Sequence, residues 1–303
     1  MGEADSTIPV FYREEMLAHA DSFSPSAGKP RHVVAAWASA SIPIRVESYP
    51  RASLEQLCRS HDPAYVRGVL SLELPNGFGN RREDVARSLP WTTGAMLAAA
   101  REALRSGIAC APVSGFHHAR YAGGGGFCTF NGLTVTASAL LSEGTVRRIL
   151  ILDCDQHFGD GTEEILERLR LSSQVENASF GRWFDAPSDA DAYLAELREQ
   201  VSRVAHFDLV LYQAGADVHV DDPLGGALTT EQMIERDRIV FEAARRANVP
   251  IAWNLAGGYQ EPLARVVELH VNTMRCCALV YNAGAGAQPT DLMELHESRD
   301  GRS

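Results

Sequence analysis

Asp153, Asp155 and His157 stand two residues apart along the chain. In extended backbone, side chains at that spacing share one face. Three potential ligands would then point one way, with Cys154 and Gln156 turned elsewhere. Asp155 and His157 offer one oxygen and one nitrogen, a pairing suited to a borderline divalent metal. Asp217, in Gly215-Ala216-Asp217, would add a second carboxylate oxygen. Three protein ligands leave a coordination position open for water, as catalytic rather than structural sites do. The competing reading is that the aspartates cap the helix expected in GTEEILERL (161–169), since acids often sit at helix starts.

His117 and His118 are adjacent, so their side chains diverge and do not usually share a metal. They can flank a reacting centre as proton donor and acceptor, because histidine titrates near neutrality. The alternative is a pair of surface or satisfied core histidines. Gly123-Gly124-Gly125-Gly126 lacks the following Gly-Lys-Ser/Thr of a phosphate cradle and reads as a turn that places Phe127. Tyr259 follows Gly257-Gly258. It reads either as a packed ring with a bonded hydroxyl or as a donor to a developing oxyanion.

The elements that must position these residues alternate. Strand-like runs lie at 8–12, 42–48, 108–115, 148–155, 208–216 and 251–258, and amphipathic helical stretches at 83–106, 130–143, 189–205, 230–248 and 261–282. Such alternation predicts right-handed crossovers and a mostly parallel sheet covered on both faces. RILILDCD and DLVLYQAGA are nearly continuous apolar runs, as buried parallel strands are. Chemistry in such sheets gathers at the carboxyl ends of strands. Four strand ends carry the clusters above: Gly115–His118, Asp153–His157, Gly215–Asp217 and Gly257–Tyr259.

Composition sets the outer bounds. In 303 residues, 45% are apolar and 22% charged, which excludes a disordered or low-complexity chain. With 39 acidic against 28 basic residues the net charge is −11, and unaided nucleic-acid binding is not expected. The six cysteines form no Cys-x-x-Cys pair, which argues against a zinc knuckle or redox motif. No secretory leader and no membrane-spanning run is visible, so reduced thiols in a cytoplasm are expected. Met1-Gly2-Glu3-Ala4-Asp5-Ser6 matches a short myristoylation pattern and Asn177-Ala178-Ser179 a glycosylation sequon; both are read as chance. With no repeat and no long linker, the chain reads as one domain over 1–303, with its core at about 8–282 and a tail at 283–303.

Together, GFHHARYAGGGGFCTFN (115–131), LDCDQHFGDGT (152–162), GADVHVDDPLGG (215–226) and NLAGGY (254–259) resemble the histone deacetylase superfamily, which also holds acetylpolyamine amidohydrolases and acetoin-utilisation proteins. The similarity starts near Phe11-Tyr12, continues through His61-Asp62-Pro63-Ala64-Tyr65-Val66 and reaches about residue 282. It implies a three-layer α/β/α fold with a central, mostly parallel eight-stranded sheet, as in arginases. It implies Asp155, His157 and Asp217 as ligands of one Zn2+ ion. It implies His117 and His118 as the tandem histidines, with His118 the main acid/base and His117 electrostatic. Asp153 and Asp160 are implied as the carboxylates that orient those rings. Tyr259 would bind the scissile carbonyl, Phe127 and Leu224 would wall the acyl-lysine tunnel, and the Gly126 backbone would lie along the substrate stem. A structural potassium ion near Asp153 and Asp155 is implied as well.

The implied activity is metal-assisted hydrolysis of an N-acylated amine, a small molecule or a peptide, through an activated water. An oligomer is compatible with all of this. Phe158 stands where most members have a second histidine. The family's Phe-Pro-Gly tunnel segment is not recognisable in 180–189, where Trp183 or Phe184 is expected to supply the opposite wall. A rim aspartate that grips peptide backbone is not identifiable in 74–84, which argues against a protein substrate. Two other readings are a manganese ureohydrolase on the same fold, with two metals, and a non-catalytic acyl-lysine binding module, which would have lost a ligand or the tyrosine.

Overall fold

The computed structural model describes residues 7–282; the tail and the myristoylation-like pattern lie outside them. In chain order the elements are β1 (Ile8–Phe11), α1 (Lys29–Ser39), β2 (Ile44–Glu47), α2 (Leu54–Leu57), α3 (Pro63–Leu70), α4 (Glu83–Ser106), β3 (Ile108–Ala111), α5 (Gly132–Ser142), β4 (Ile149–Asp153), α6 (Asp160–Arg168), β5 (Val175–Ser179), α7 (Ala190–Ser202), β6 (Leu209–Gln213), α8 (Thr230–Ala247), β7 (Ile251–Asn254) and α9 (Ala264–Asn282).

The strands form one sheet in the order β2-β1-β3-β7-β6-β4-β5, with every pairing parallel. The sheet has seven strands among the described residues, not the expected eight. β2 and β5 are its edges, and the chain leaves each for loops and helical turns instead of adding another strand.

Alternate strand residues feed two apolar layers, as the pleat requires. Val10, Cys110, Leu152, Tyr212 and Trp253 pack with residues of α1, α7, α8 and α9. Phe11, Ala111, Ile151, Leu211 and Ala252 pack with residues of α4 and α5 on the opposite face. The sheet is therefore covered on both sides, the arrangement expected of buried parallel strands.

Register brings the site together. Ala111 pairs with Asn254, Asn254 with Gln213, and Gln213 with Asp153. Four strands thus end at one level, and the loops after β3, β4, β6 and β7 emerge side by side. The sequence-predicted clusters sit on those loops.

Candidate active site

Beyond Asp153 the backbone is not the extended strand that the two-residue spacing suggested; β4 ends there and the chain bends. Asp153 Oδ1 accepts the Asp155 N–H (3.2 Å) and Asp155 Oδ1 accepts the His157 N–H (3.0 Å). Each aspartate thereby folds the chain over itself, as Asx turns do. The helix-capping reading fails for Asp153 and Asp155: Gly159 is the N-cap of α6. Asp160, in the first turn of that helix, accepts the Gly161 N–H (2.9 Å).

Asp155, His157 and Asp217 converge, with one ligand atom from each within 4.8 Å of the others. His157 Nδ1 lies 3.2 Å from Asp155 Oδ1 and 3.1 Å from Asp217 Oδ2. Both aspartates are buried. Hydrogen bonds to Asp155 and Asp217 raise His157 to about 10. Burial, then the Asp155 charge, pushes Asp217 up to about 7. Burial opposes ionisation of Asp155 too, yet His117 and His157 hold it well below the usual carboxylate range. Two buried carboxylates facing one imidazole call for a positive charge between them. A proton on His157 can supply it, and so can a divalent cation bound by two oxygens and one nitrogen, so the donor set fits a metal.

The tandem histidines stand beside this trio. His117 Nδ1–H donates to Asp153 Oδ2 (2.8 Å) and His118 Nδ1–H to Asp160 Oδ1 (2.8 Å). A carboxylate only accepts, so Nδ1 carries a proton on both rings and Nε2 of each is left toward the site. The rings lie 4.1 Å apart. Burial would lower His117, but Asp153, Asp155 and Asp217 outweigh it and raise it to about 9. His118 is lowered, first by burial and then by the His117 charge. Asp153 is itself held by Gln213 Nε2 (2.9 Å) and Ser179 Oγ (3.3 Å), and Asp160 by Arg120.

These groups surround a cavity of about 220 Å³ lined by His117, His118, Asp155, His157, Phe127, Leu224 and Tyr259, among others. Burial foremost, with Asp217 and Asp155 behind it, raises the Tyr259 phenol far above its ordinary value, so it stays a neutral donor. Gly126 adopts φ +51°, and a Cβ there would lie 2.3 Å from His118 Cδ2. Only glycine lets that loop pass so close to the histidine. Phe127 packs on Tyr259 (centroids 5.7 Å), and Phe78 and Phe23 pack on Phe127 (5.7 and 5.3 Å).

Neither Trp183 nor Phe184 is among the residues that line this cavity. Trp183 is exposed, and the half-buried Phe184 packs on Phe180 and Tyr193 at the edge of the core. Phe158 carries the Arg182 guanidinium 3.9 Å above its ring. In segment 74–84, Asp84 accepts the His19 N–H (3.0 Å) and pairs with Arg82, while Asn80 donates to Ala20 O (2.6 Å). Its polar groups hold the loop carrying Phe23.

Lys29 is the functional-site residue that sequence reasoning missed. It is fully buried, and its Nζ donates to Ala256 O (2.8 Å) and to Gly257 O, in the loop that carries Tyr259. Nothing in its neighbours, Pro30-Arg31-His32, marks this lysine as buried.

Comparison with known proteins agrees with this geometry. The histone deacetylase domain model matches residues 29–182 and 173–274. An uncharacterised protein of Picosynechococcus sp. is 31% identical over 252 residues, covering 73% of this chain and 81% of that protein. Histone deacetylase 2 of Arabidopsis thaliana is 31% identical over 193 residues, covering 57% of this chain and 50% of that protein. Acetylpolyamine amidohydrolase of Burkholderia pseudomallei is 36% identical over 112 residues, covering 34% and 31% respectively. The crystal structure of the HDA15 HD domain superposes with a TM-score of 0.72 over 97% of this chain and 93% of that chain, at 18% identity, a likeness of fold. With an Asp/His/Asp trio, two carboxylate-backed histidines and a half-buried tyrosine on one rim of the sheet, the chain belongs to the histone deacetylase superfamily of metal-dependent acyl-amide hydrolases.

Proposed function

We propose that the chain is a single-domain, zinc-dependent amidohydrolase that removes an acetyl or other acyl group from an N-acylated amine. The observation that carries this reading is the convergence of Asp155, His157 and Asp217 beside His117, His118 and Tyr259 in one small cavity. A zinc ion held by the trio would supply Lewis acidity, polarising the scissile carbonyl and lowering the pKa of the attacking water.

The chain's own residues do the rest. His118 is held by Asp160 with its Nε2 lone pair free, and takes the water's proton. His117, hydrogen-bonded to Asp153, takes the electrostatic role beside the developing negative charge. The Tyr259 hydroxyl donates to the oxyanion, and the departing amine receives the proton that His118 holds. Phe127 and Leu224 flank the substrate stem, with the Gly126 backbone alongside. A potassium ion bound by backbone oxygens near Asp153 and Asp155 would be structural.

The substrate we favour is a small N-acyl amine, because Asp84, the acidic candidate of that segment beside Asn80, is engaged in holding the loop of Phe23. The six free cysteines suit a reducing compartment such as the cytoplasm. Among the described residues Asp155, His157 and Asp217 are the one such group able to hold a metal, so nothing favours the two-metal ureohydrolase. The retained tyrosine and histidines equally disfavour a binding-only module.

Metal analysis of purified protein is expected to find one zinc per chain. Chelation should abolish hydrolysis of acetyl-lysine peptides, acetylpolyamines or longer acyl amides, and Asp217→Ala should lose the metal. Hydrolysis that survives chelation, or full occupancy in Asp217→Ala, overturns the reading.

A further inference from the structure

We infer that Asp222 is a positioning residue for the hydrolysis: it pins the main chain of Tyr259 and ties that pin to the cavity wall at Leu224. The inference rests on the reading of Tyr259 as the oxyanion donor.

The loop after β7 passes through two left-handed residues, Ala256 (φ +56°) and Gly258 (φ +98°). For a residue bearing a Cβ that conformation is strained, and it persists only where the surroundings over-determine it. Most of the restraints act early in the loop. The Leu255 and Ala256 N–H groups donate to Val113 O (3.0 and 3.2 Å), and Lys29 Nζ donates to Ala256 O and Gly257 O. Gly258 then offers a freely rotating joint between those restraints and the tyrosine. The bond on the far side of that joint is Asp222 Oδ2, which accepts the Tyr259 N–H at 2.8 Å.

The other oxygen of the same carboxylate, Oδ1, accepts the Leu224 N–H (3.0 Å). Asp222 is buried, and its own N–H donates to His219 O (2.9 Å), so the pin is mounted on hydrogen-bonded backbone. An N–H···O⁻ bond is stronger than a neutral one, which gives a carboxylate an advantage here over a serine or an amide. Buried Lys29, which acts electrostatically on Asp222, supplies the opposing charge. An oxyanion donor misplaced by 1 Å can cost about 100-fold in rate. The amide pin fixes where the tyrosine Cα sits, and hence where the hydroxyl arrives.

The test is a double-mutant cycle, read on the N-acyl amine that the wild type turns over fastest among acetyl-lysine peptides, acetylpolyamines and longer acyl amides. Asp222→Ala is expected to lower kcat by about 10–100-fold with KM changed less than about 3-fold. Metal content should be unchanged. In a Tyr259→Phe background the same substitution should cost less than about 2-fold, because its effect is carried by the hydroxyl already removed. An equal loss in both backgrounds makes Asp222 a general support of the fold and overturns the inference. Should Asp222→Ala not fold, Asp222→Asn keeps one acceptor oxygen and is read in the same cycle, with a smaller loss that must again vanish beside Tyr259→Phe. If Tyr259→Phe alone leaves turnover intact, the donor reading itself fails and Asp222 falls with it, an outcome distinct from an unpaired cycle.

Discussion

Tyr259 is the residue whose chemistry depends most on its surroundings. Its phenol is buried beside two carboxylates, which forces it to remain protonated and to act only by donating. Such a donor matters most when negative charge develops on the substrate oxygen. Tyr259→Phe should therefore lower turnover by at least about 100-fold, the scale for one oxyanion donor, while metal content stays constant. Turnover within a few-fold of wild type at full metal occupancy would remove that role. The histidines follow the same logic with opposite outcomes. Burial lowers both, but at His117 three carboxylates outweigh it and push the ring upward, whereas at His118 burial and the His117 charge outweigh Asp160 and Asp155 and push it down. Two adjacent residues of one type thereby become unlike in protonation, the separation an acid/base site needs.

The loops between elements show what a sequence can carry. The Asp153–His157 spacing pointed to the right residues through the wrong backbone: the side chains converge because each carboxylate turns the chain, not because the strand continues. Helix α4 is legible to its ends, since a long amphipathic pattern closes on Gly107 in the left-handed conformation. β5 was not legible, because VENAS at a sheet edge lacks the apolar run of β4 and β6. Lys29 and Asp222 carry no local pattern that singles them out in the sequence; the fold brings them against the Tyr259 loop. Gly126 was legible as a turn, but its contact with His118 was not. Gly126→Ala should displace the His118 ring and lower kcat by about 10–100-fold. The folded content seen by circular dichroism should be preserved. A rate within 2-fold of wild type would show the loop to be more yielding than about 1 kcal/mol of left-handed strain plus that contact allows.

At the scale of the whole molecule, the site depends on a third apolar cluster beneath it, made of Leu57, Tyr65, Val66, Val69, Leu89, Phe130 and neighbours. His61 joins that cluster to the active-site loop. Its Nδ1–H donates to Arg120 O (2.9 Å), its Nε2 accepts the Asn131 N–H (2.8 Å), and its ring packs on Tyr65 and Phe130. Accepting at Nε2 requires the neutral ring, and burial lowers His61 to about 4. In the unfolded chain a histidine titrates near about 6.5, so between those values the unfolded state binds a proton that the folded state refuses. The stabilisation is complete above about 6.5 and is lost as pH falls toward about 4, approaching about 3 kcal/mol at 1.36 kcal/mol per pH unit. Unfolded carboxylates enter only near about 4, while folded Asp217, raised to about 7, contributes with the opposite sign between about 6.5 and 5, so it is the difference between wild type and a His61 variant across that window that reports on His61. Buried His270 is lowered too and adds to the wild-type slope there. His61→Gln should be less stable than wild type at pH 7 yet lose stability less steeply across that window, by up to one proton's worth of slope in urea denaturation. Parallel pH profiles for the two proteins would mean that His61 is not held neutral, and that its two hydrogen bonds do not fasten the loop as drawn.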